Sequence, residues 1–274
     1  MFEMIVNPTS GESIMTNDID EQETYDDFVI IDNYTQEAII SIIGLGEYGK
    51  KIVGQIKSNK IEGLGYKESI DEIETSDMLL LVASLDEMNG RLEEIYDVVN
   101  NTNLSYLYVR TDTNIDYCSN EYLLEMQKYF DLVIPIPQTP ITEESIYWSI
   151  RGIVELVTTN GLICIDFADV SYVTKGMAIG ATAYGSANQS VDDRATVATE
   201  QALRSLYSTG INVIKAKGFL VTIFGGMDMS IGEFDDAGTA VREVLHDDAS
   251  VVVGTIIDPD IDRFYVAITA TGVC

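Results

Sequence analysis

Short apolar runs alternate with amphipathic stretches along residues 38–140, and this alternation constrains the fold more than any other feature of the chain. The runs are rich in aliphatic and β-branched residues, which is typical of buried strands. They lie at Ala38–Ile43, Met78–Ala83, Leu104–Val109 and Asp131–Ile136. Strands that alternate with helices indicate a parallel sheet with right-handed crossovers. We therefore expect a Rossmann-like α/β domain over residues 38–140.

A different pattern begins at residue 141. Isoleucines and valines at helical spacing predict one long helix over Ile141–Thr158, inside a linking segment of residues 141–160. Four further strand-like runs and two helical stretches follow within residues 161–274. The predicted fold class is thus α/β, with a Rossmann-like parallel-sheet N-terminal domain joined by a long central helix to an α+β C-terminal domain.

The charge of the chain is strongly acidic. Among its 274 residues, 16 are Lys or Arg and 45 are Asp or Glu, for a net charge of −29. Such a surface repels nucleic acid and anionic lipid, so neither is expected as a direct partner. Residues 1–37 contain no Lys or Arg and carry an acidic run, which predicts a disordered tail. The sequence shows neither a signal peptide nor an apolar run long enough for a transmembrane helix.

The cysteines and the histidine restrict the kinds of site that the chain is expected to hold. Cys118, Cys164 and Cys274 are scattered and odd in number. We therefore expect free thiols in a reducing cytoplasm rather than a disulfide framework or a zinc site. The single histidine, His246, leaves little room for histidine-based catalysis.

A glycine-containing turn follows the first predicted strand. Gly44, Gly46 and Gly49 have the spacing G-x-G-x-x-G and precede a predicted helix, the context in which backbone amides bind phosphate. Glu47 would face the phosphates, and a plain tight turn explains the same glycines. A dinucleotide-dependent oxidoreductase is a further alternative, but the second half offers no constellation for hydride transfer.

Two carboxylates stand three residues apart in the apolar stretch Gly161–Val170. If this segment is helical, Asp166 and Asp169 lie on one face, where they could polarise a water or hold a metal. The alternative interpretation is that they cap the N-terminus of the following helix.

The stretch Gly161–Val170 resembles the loop by which FtsZ, the bacterial relative of tubulin, reaches into a neighbouring subunit's nucleotide pocket. Four more blocks of the second half are similar to FtsZ in order and spacing: Asp193–Ala195, Gly218–Asp228, Glu233–Phe234 and Ala249–Asp260. The resemblance implies GTP, together with Mg²⁺, in the first domain and head-to-tail association of subunits. It further implies that Asp166 and Asp169 activate the attacking water of the adjoining subunit, and that Glu144 stands at the guanine base.

The first domain departs from the family pattern. After Met78–Ala83, FtsZ carries a run of glycines and threonines that cradles the phosphates, whereas this chain reads Ser84-Leu-Asp-Glu-Met-Asn-Gly-Arg91. Asp86 and Glu87 would lie against a triphosphate, which predicts a degenerate GTP site. The sequence therefore does not decide whether the chain is a GTPase. A second departure is Cys164, where FtsZ usually has Asn.

These observations lead to one main hypothesis and two alternatives. The main hypothesis is a divergent FtsZ paralogue in the cytoplasm, at the division site, that associates with or modulates FtsZ-type filaments through its Asp166/Asp169 loop. The alternatives are an active, self-polymerising FtsZ-type GTPase and a metabolic or scaffold role unconnected with division. Because the chain stops at Cys274, directly after the last predicted strand, we expect neither the membrane-tethering peptide of FtsZ nor direct membrane binding.

Overall fold

The computed structural model describes residues 38–73, 75–88, 90–111, 116–137, 143–159, 161–163, 165–246 and 248–274. The predicted acidic tail, residues 1–37, and Cys164 lie outside the described residues. In the described part of the chain, no helix is long and apolar enough to cross a membrane.

Strands and helices alternate through the first half of the chain. The strands are β1 (Ile40–Gly44), β2 (Leu64–Lys67), β3 (Met78–Ser84), β4 (Leu104–Thr111), β5 (Leu132–Pro137), β6 (Ala178–Asn188), β7 (Gly218–Gly225), β8 (Ser250–Ile257) and β9 (Arg263–Thr271). The helices are α1 (Gly46–Asn59), α2 (Leu85–Met88), α3 (Leu92–Asn100), α4 (Glu121–Met126), α5 (Glu143–Thr158), α6 (Phe167–Thr174), α7 (Arg194–Tyr207) and α8 (Ile231–Arg242).

The nine strands of the described residues form one sheet in the order β2-β1-β3-β4-β5-β6-β9-β7-β8. Pairing is parallel except at β9, which runs antiparallel to β6 and β7. Every residue of β3 is buried, because helices cover both faces of a parallel sheet and its strands are therefore apolar throughout. The β5–β6 pairing joins the two halves of the sheet and spans only two residue pairs, Leu132 with Ala178 and Val133 with Ile179.

The helices form one layer on each face of the sheet. Alternate strand residues point to opposite faces, so each strand contributes to two separate apolar clusters. One cluster includes α3, α4, α7 and α8, and the other includes α1, α5 and α6. This arrangement gives a three-layer α/β/α sandwich.

The predicted fold class is confirmed, with local differences. The four strands predicted in the first half are present within two residues of their predicted ends. The structure differs in four places: Gly46–Gly49 is the first turn of α1 rather than a loop, β2 was not predicted, the helix expected through Val98 is broken into α2 and α3, and α6 precedes the two helices predicted after residue 161. The strands that precede residues 141–160 and those that follow them belong to one continuous sheet. The domain boundaries placed in this segment therefore remain a prediction.

The prediction of free thiols is wrong for two of the three cysteines. Cys118, in the turn before α4, forms a disulfide with Cys274, the residue three positions beyond β9, and their Cα atoms are 5.3 Å apart. The two residues are separated by 156 positions, and the fold brings them together because β9 returns to lie beside β6, the neighbour of β5. The scattered spacing of the cysteines concealed this contact.

Candidate functional site

The three predicted glycines lie together where β1 leads into α1. A Cβ on Gly44 would stand 2.2 Å from the carbonyl oxygen of Gly49, and a Cβ on Gly49 would stand 2.0 Å from that of Val82 in β3. Gly46 has a φ of +68°, a conformation that favours glycine. The glycines therefore let the first turn of α1 pack directly against β1 and β3.

The carboxylate of Glu87 accepts hydrogen bonds from the backbone amides at this junction. Its Oε1 accepts from the amides of Glu47 (2.6 Å) and Tyr48 (3.2 Å) in α1. Its Oε2 accepts from the amide of Ser84 (3.0 Å), at the end of β3. A Cβ on Gly46 would lie 2.1 Å from the Cδ of Glu87, so this glycine makes room for the carboxylate.

One carboxylate thus caps two helices. The Ser84 hydroxyl in turn accepts from the Glu87 amide at 3.4 Å, which completes a reciprocal capping box at the start of α2. Burial disfavours the charged form of Glu87, but the hydrogen bonds from Ser84, Tyr48 and Glu47 outweigh it and hold the pKa of this carboxyl below its ordinary value. The sequence signal for the local part of this arrangement was the S-x-x-E spacing of Ser84 and Glu87.

A cation lies beside the same junction. The guanidinium of Arg110, in β4, lies 4.3 Å from the ring centroid of Tyr48. Burial raises the pKa of Tyr48 to about 12, although the charge of Arg110 opposes the shift. Tyr48 therefore stays neutral at physiological pH and presents its ring to Arg110.

Glu144, which was predicted to meet a guanine base, lies at the start of α5. The carboxylates at this helix start accept hydrogen bonds from side chains of the protein itself. The Tyr184 hydroxyl donates to Glu144 Oε2. Neighbouring Glu143 accepts from Lys51 (2.5 Å) and Gln55 (2.8 Å) of α1, and the hydrogen bond from Lys51 lowers the pKa of Glu143. Sequence reasoning missed these partners because they lie up to 92 residues away.

The cleft between α1 and α5 is small. Its volume is about 230 Å³, and its lining includes Gln55, Glu143, Glu144 and Tyr147. Pockets for drug-sized ligands usually measure about 300–1,000 Å³. The volume of this cleft therefore falls below that range.

Asp166 and Asp169 form a capping box at the N-terminus of α6. The Asp169 amide donates to Asp166 Oδ1 (2.9 Å), and the Asp166 amide donates to Asp169 Oδ2 (3.1 Å). The capping interpretation therefore holds for this pair. Both residues are exposed, and the box engages one oxygen of each carboxylate.

The loop before this box is held firmly against β8. Thr255 Oγ1, which is buried, accepts from the amides of Leu162 (2.9 Å) and Ile163 (3.3 Å). A Cβ on Gly161 would stand 1.9 Å from the Thr255 carbonyl oxygen, so the loop needs glycine at this position. These contacts fix the segment that precedes Asp166.

The two predicted site regions lie at opposite ends of α5. Glu143 and Glu144 begin this helix, and Gly161 follows its end. Sixteen helical residues span about 24 Å at 1.5 Å per residue. The structure brings Gly44, Gly46 and Gly49 together and pairs Asp166 with Asp169, but it does not join the two groups. Among the described residues, no three His, Cys, Asp or Glu side chains cluster as a metal-binding group.

Comparison with known proteins relates the chain to FtsZ. Residues 176–274 match the family model "FtsZ family, C-terminal domain". The chain is 39% identical to the cell division protein FtsZ 2 of Rhizobium meliloti over 133 residues, which cover 48% of this chain and 38% of that protein. It is 25% identical to the cell division protein FtsZ of Pseudomonas aeruginosa over 316 aligned residues, covering 89% of this chain and 80% of the relative.

A solved structure shows the same fold. The empty FtsZ dimer of M. jannaschii matches with a TM-score of 0.72 and 21% identity, covering 88% of this chain and 90% of that one. The family model matches residues 176–274, and the chain spans less than two fifths of the length of the Rhizobium relative.

Proposed function

We propose that this chain, which matches the FtsZ C-terminal domain over residues 176–274 and has the fold of FtsZ, is a cytoskeletal cell-division subunit that joins or modulates FtsZ-type filaments without holding GTP in its own first domain. It acts in the cytoplasm, at the division site, and its partners are FtsZ-type subunits. The Asp166/Asp169 end of α6 is the face that meets the neighbouring subunit.

The observation that supports this proposal most strongly is the position of Glu87. A bound phosphate needs free amides at a helix N-terminus, yet the amides of Glu47, Tyr48 and Ser84 already donate to the Glu87 carboxylate. A triphosphate brought to the same point would meet a carboxylate whose pKa is lowered and which therefore stays negatively charged. Both effects disfavour GTP in this chain's own pocket.

The geometry of α6 supports action on another subunit. Asp166 and Asp169 are exposed and held in a fixed box, so they can meet a partner without a large ordering cost. They lie beyond the far end of a 16-residue helix from the Glu87 junction, which keeps them from serving the pocket of their own chain. A pocket supplied by a neighbouring subunit fits this placement.

Co-sedimentation with an FtsZ that carries an intact glycine-rich loop tests the proposal. The chain is expected to pellet with GTP-assembled filaments and to remain soluble without them. The variant with Asp166→Asn and Asp169→Asn keeps the capping oxygens but removes both charges, so it should fold normally and pellet at least tenfold less. The matched control replaces Glu93 and Glu94, two exposed carboxylates of α3, by Gln.

Two results would contradict the proposal. The first is a wild-type chain that stays in the supernatant at every filament concentration. The second is equal pelleting of the Asp166/Asp169 variant and the wild type. Self-assembly of the chain alone with GTP would instead favour the alternative of an active, self-polymerising GTPase.

A further inference from the structure

The disulfide between Cys118 and Cys274 lies beside the shortest strand pairing of the sheet, the β5–β6 joint. The β5–β6 pairing has two residue pairs, whereas every other pair of neighbouring strands has at least four. The amide of Val273 donates to the carbonyl of Ile179 (3.1 Å), and Ile179 is one of the residues in that short pairing. Cys274 therefore follows directly on a contact with the joint.

The disulfide links the two halves on one face of the sheet. Tyr117 and Val273, the neighbours of the two cysteines, pack in the cluster that includes α7 and α8. On the opposite face, α5 and α6 join the halves through the hydrogen bonds of Tyr108 with Ser149 and of Tyr106 with Thr174. The covalent link thus complements noncovalent contacts on the other side.

Both cysteines are exposed, so a small thiol can reach the disulfide. Exposed disulfides are the ones that exchange readily with external thiols. We propose that Cys118–Cys274 is a reversible redox clamp: it holds the β5–β6 joint closed when oxidised and lets it open when reduced by a glutathione-type thiol.

The exchange chemistry is balanced by two external thiols. The first thiolate attacks one cysteine sulfur, forms a mixed disulfide and releases the other cysteine as a thiolate, which takes up a proton. The second thiol attacks the mixed disulfide, releases the second cysteine and leaves as the oxidised disulfide of the reagent. The protein gains two electrons and two protons, and the reagent loses them.

Hydrogen exchange of two amides reports on the joint directly. The Ala178 amide donates to the Asp131 carbonyl across the β5–β6 contact. The Val273 amide donates to the Ile179 carbonyl beside that contact. In a Cys164→Ser background, which removes the third thiol, reduction with dithiothreitol should speed exchange at both amides on the order of tenfold or more. The amide of Leu107, in the centre of β4, should exchange equally in both states.

The variant Cys118→Ser separates the clamp from general effects of the reductant. It should exchange like the reduced protein and should not respond to dithiothreitol. A thiol titration should find no free thiol in the Cys164→Ser protein after oxidised glutathione and two after reduction. Equal exchange in the oxidised and reduced forms, or two free thiols that persist under oxidised glutathione, would overturn the proposal.

Discussion

Replacement of Glu87 by alanine tests the proposed role of this carboxylate most sharply. The change removes three hydrogen bonds to a charged acceptor, at 2.6, 3.2 and 3.0 Å. Hydrogen bonds to charged groups contribute about 1.5–3 kcal/mol each, and water replaces part of this at a half-buried site, so we expect the free energy of unfolding to fall by about 2–4 kcal/mol. Urea unfolding followed by circular dichroism measures the change.

The same variant offers a rescue experiment. Alanine leaves the amides of Glu47, Tyr48 and Ser84 without their carboxylate, so inorganic phosphate or pyrophosphate can take its place. At about 100 times its dissociation constant, an anion that binds only the folded state adds about 2.7 kcal/mol to the unfolding free energy. The wild-type chain should gain no comparable stability from the same anion.

The neighbouring carboxylate supplies the control. Asp86 is exposed, and its replacement by alanine should change the unfolding free energy by less than about 0.5 kcal/mol. A loss below about 0.5 kcal/mol for Glu87→Ala would refute the structural role of Glu87. Equal stabilisation of wild type and variant by phosphate would refute its role as an internal anion.

Three further predictions concern stability and the loop. Because the folded-state pKa of Glu87 is lowered, its contribution to stability is complete above the unfolded pKa of about 4.3 and is lost as the pH falls through the folded value. As the pH is lowered through this range, the unfolding free energy of the wild type should therefore fall more steeply than that of Glu87→Gln, and the two should converge at low pH. Gly49→Ala places a Cβ 2.0 Å from the Val82 carbonyl oxygen, and thermal unfolding should show a loss of about 2 kcal/mol or more. Thr255→Val removes the acceptor for two loop amides, so it should cost about 1–3 kcal/mol in urea unfolding and weaken co-sedimentation, with phosphate binding by Glu87→Ala unaffected.

Much of the fold could be predicted from local patterns of apolar residues in the sequence. The fully buried strand β3 is one continuous apolar run, and the apolar positions of α5 recur at helical spacing, so periodicity found both. Strand β2 escaped because it has four residues, one of them glycine, and only Leu64 is buried. Gly46 and Gly49 suggested a loop, whereas they are needed for close packing of α1 on the sheet.

The candidate site was predictable only in part. The capping box could be predicted from the spacing of Asp166 and Asp169, because its two partners are three residues apart. The contacts of Glu87 with α1 cross about 40 residues, and the disulfide crosses 156, so both depend on how the chain folds back on itself. Sequence reasoning placed Glu87 against a bound phosphate as a source of repulsion, but it did not anticipate that the carboxylate would take the amides itself.

The nucleotide content of mixed filaments tests the central claim most directly. Filaments assembled with GTP from an intact FtsZ and this chain are pelleted, and the bound guanine nucleotide is counted against the amount of each protein. We expect the pellet to contain this chain and the bound nucleotide to equal the intact FtsZ subunits alone, mole for mole. Nucleotide equal to the sum of both proteins would contradict it, because this chain would then hold GTP in the pocket that Glu87 occupies.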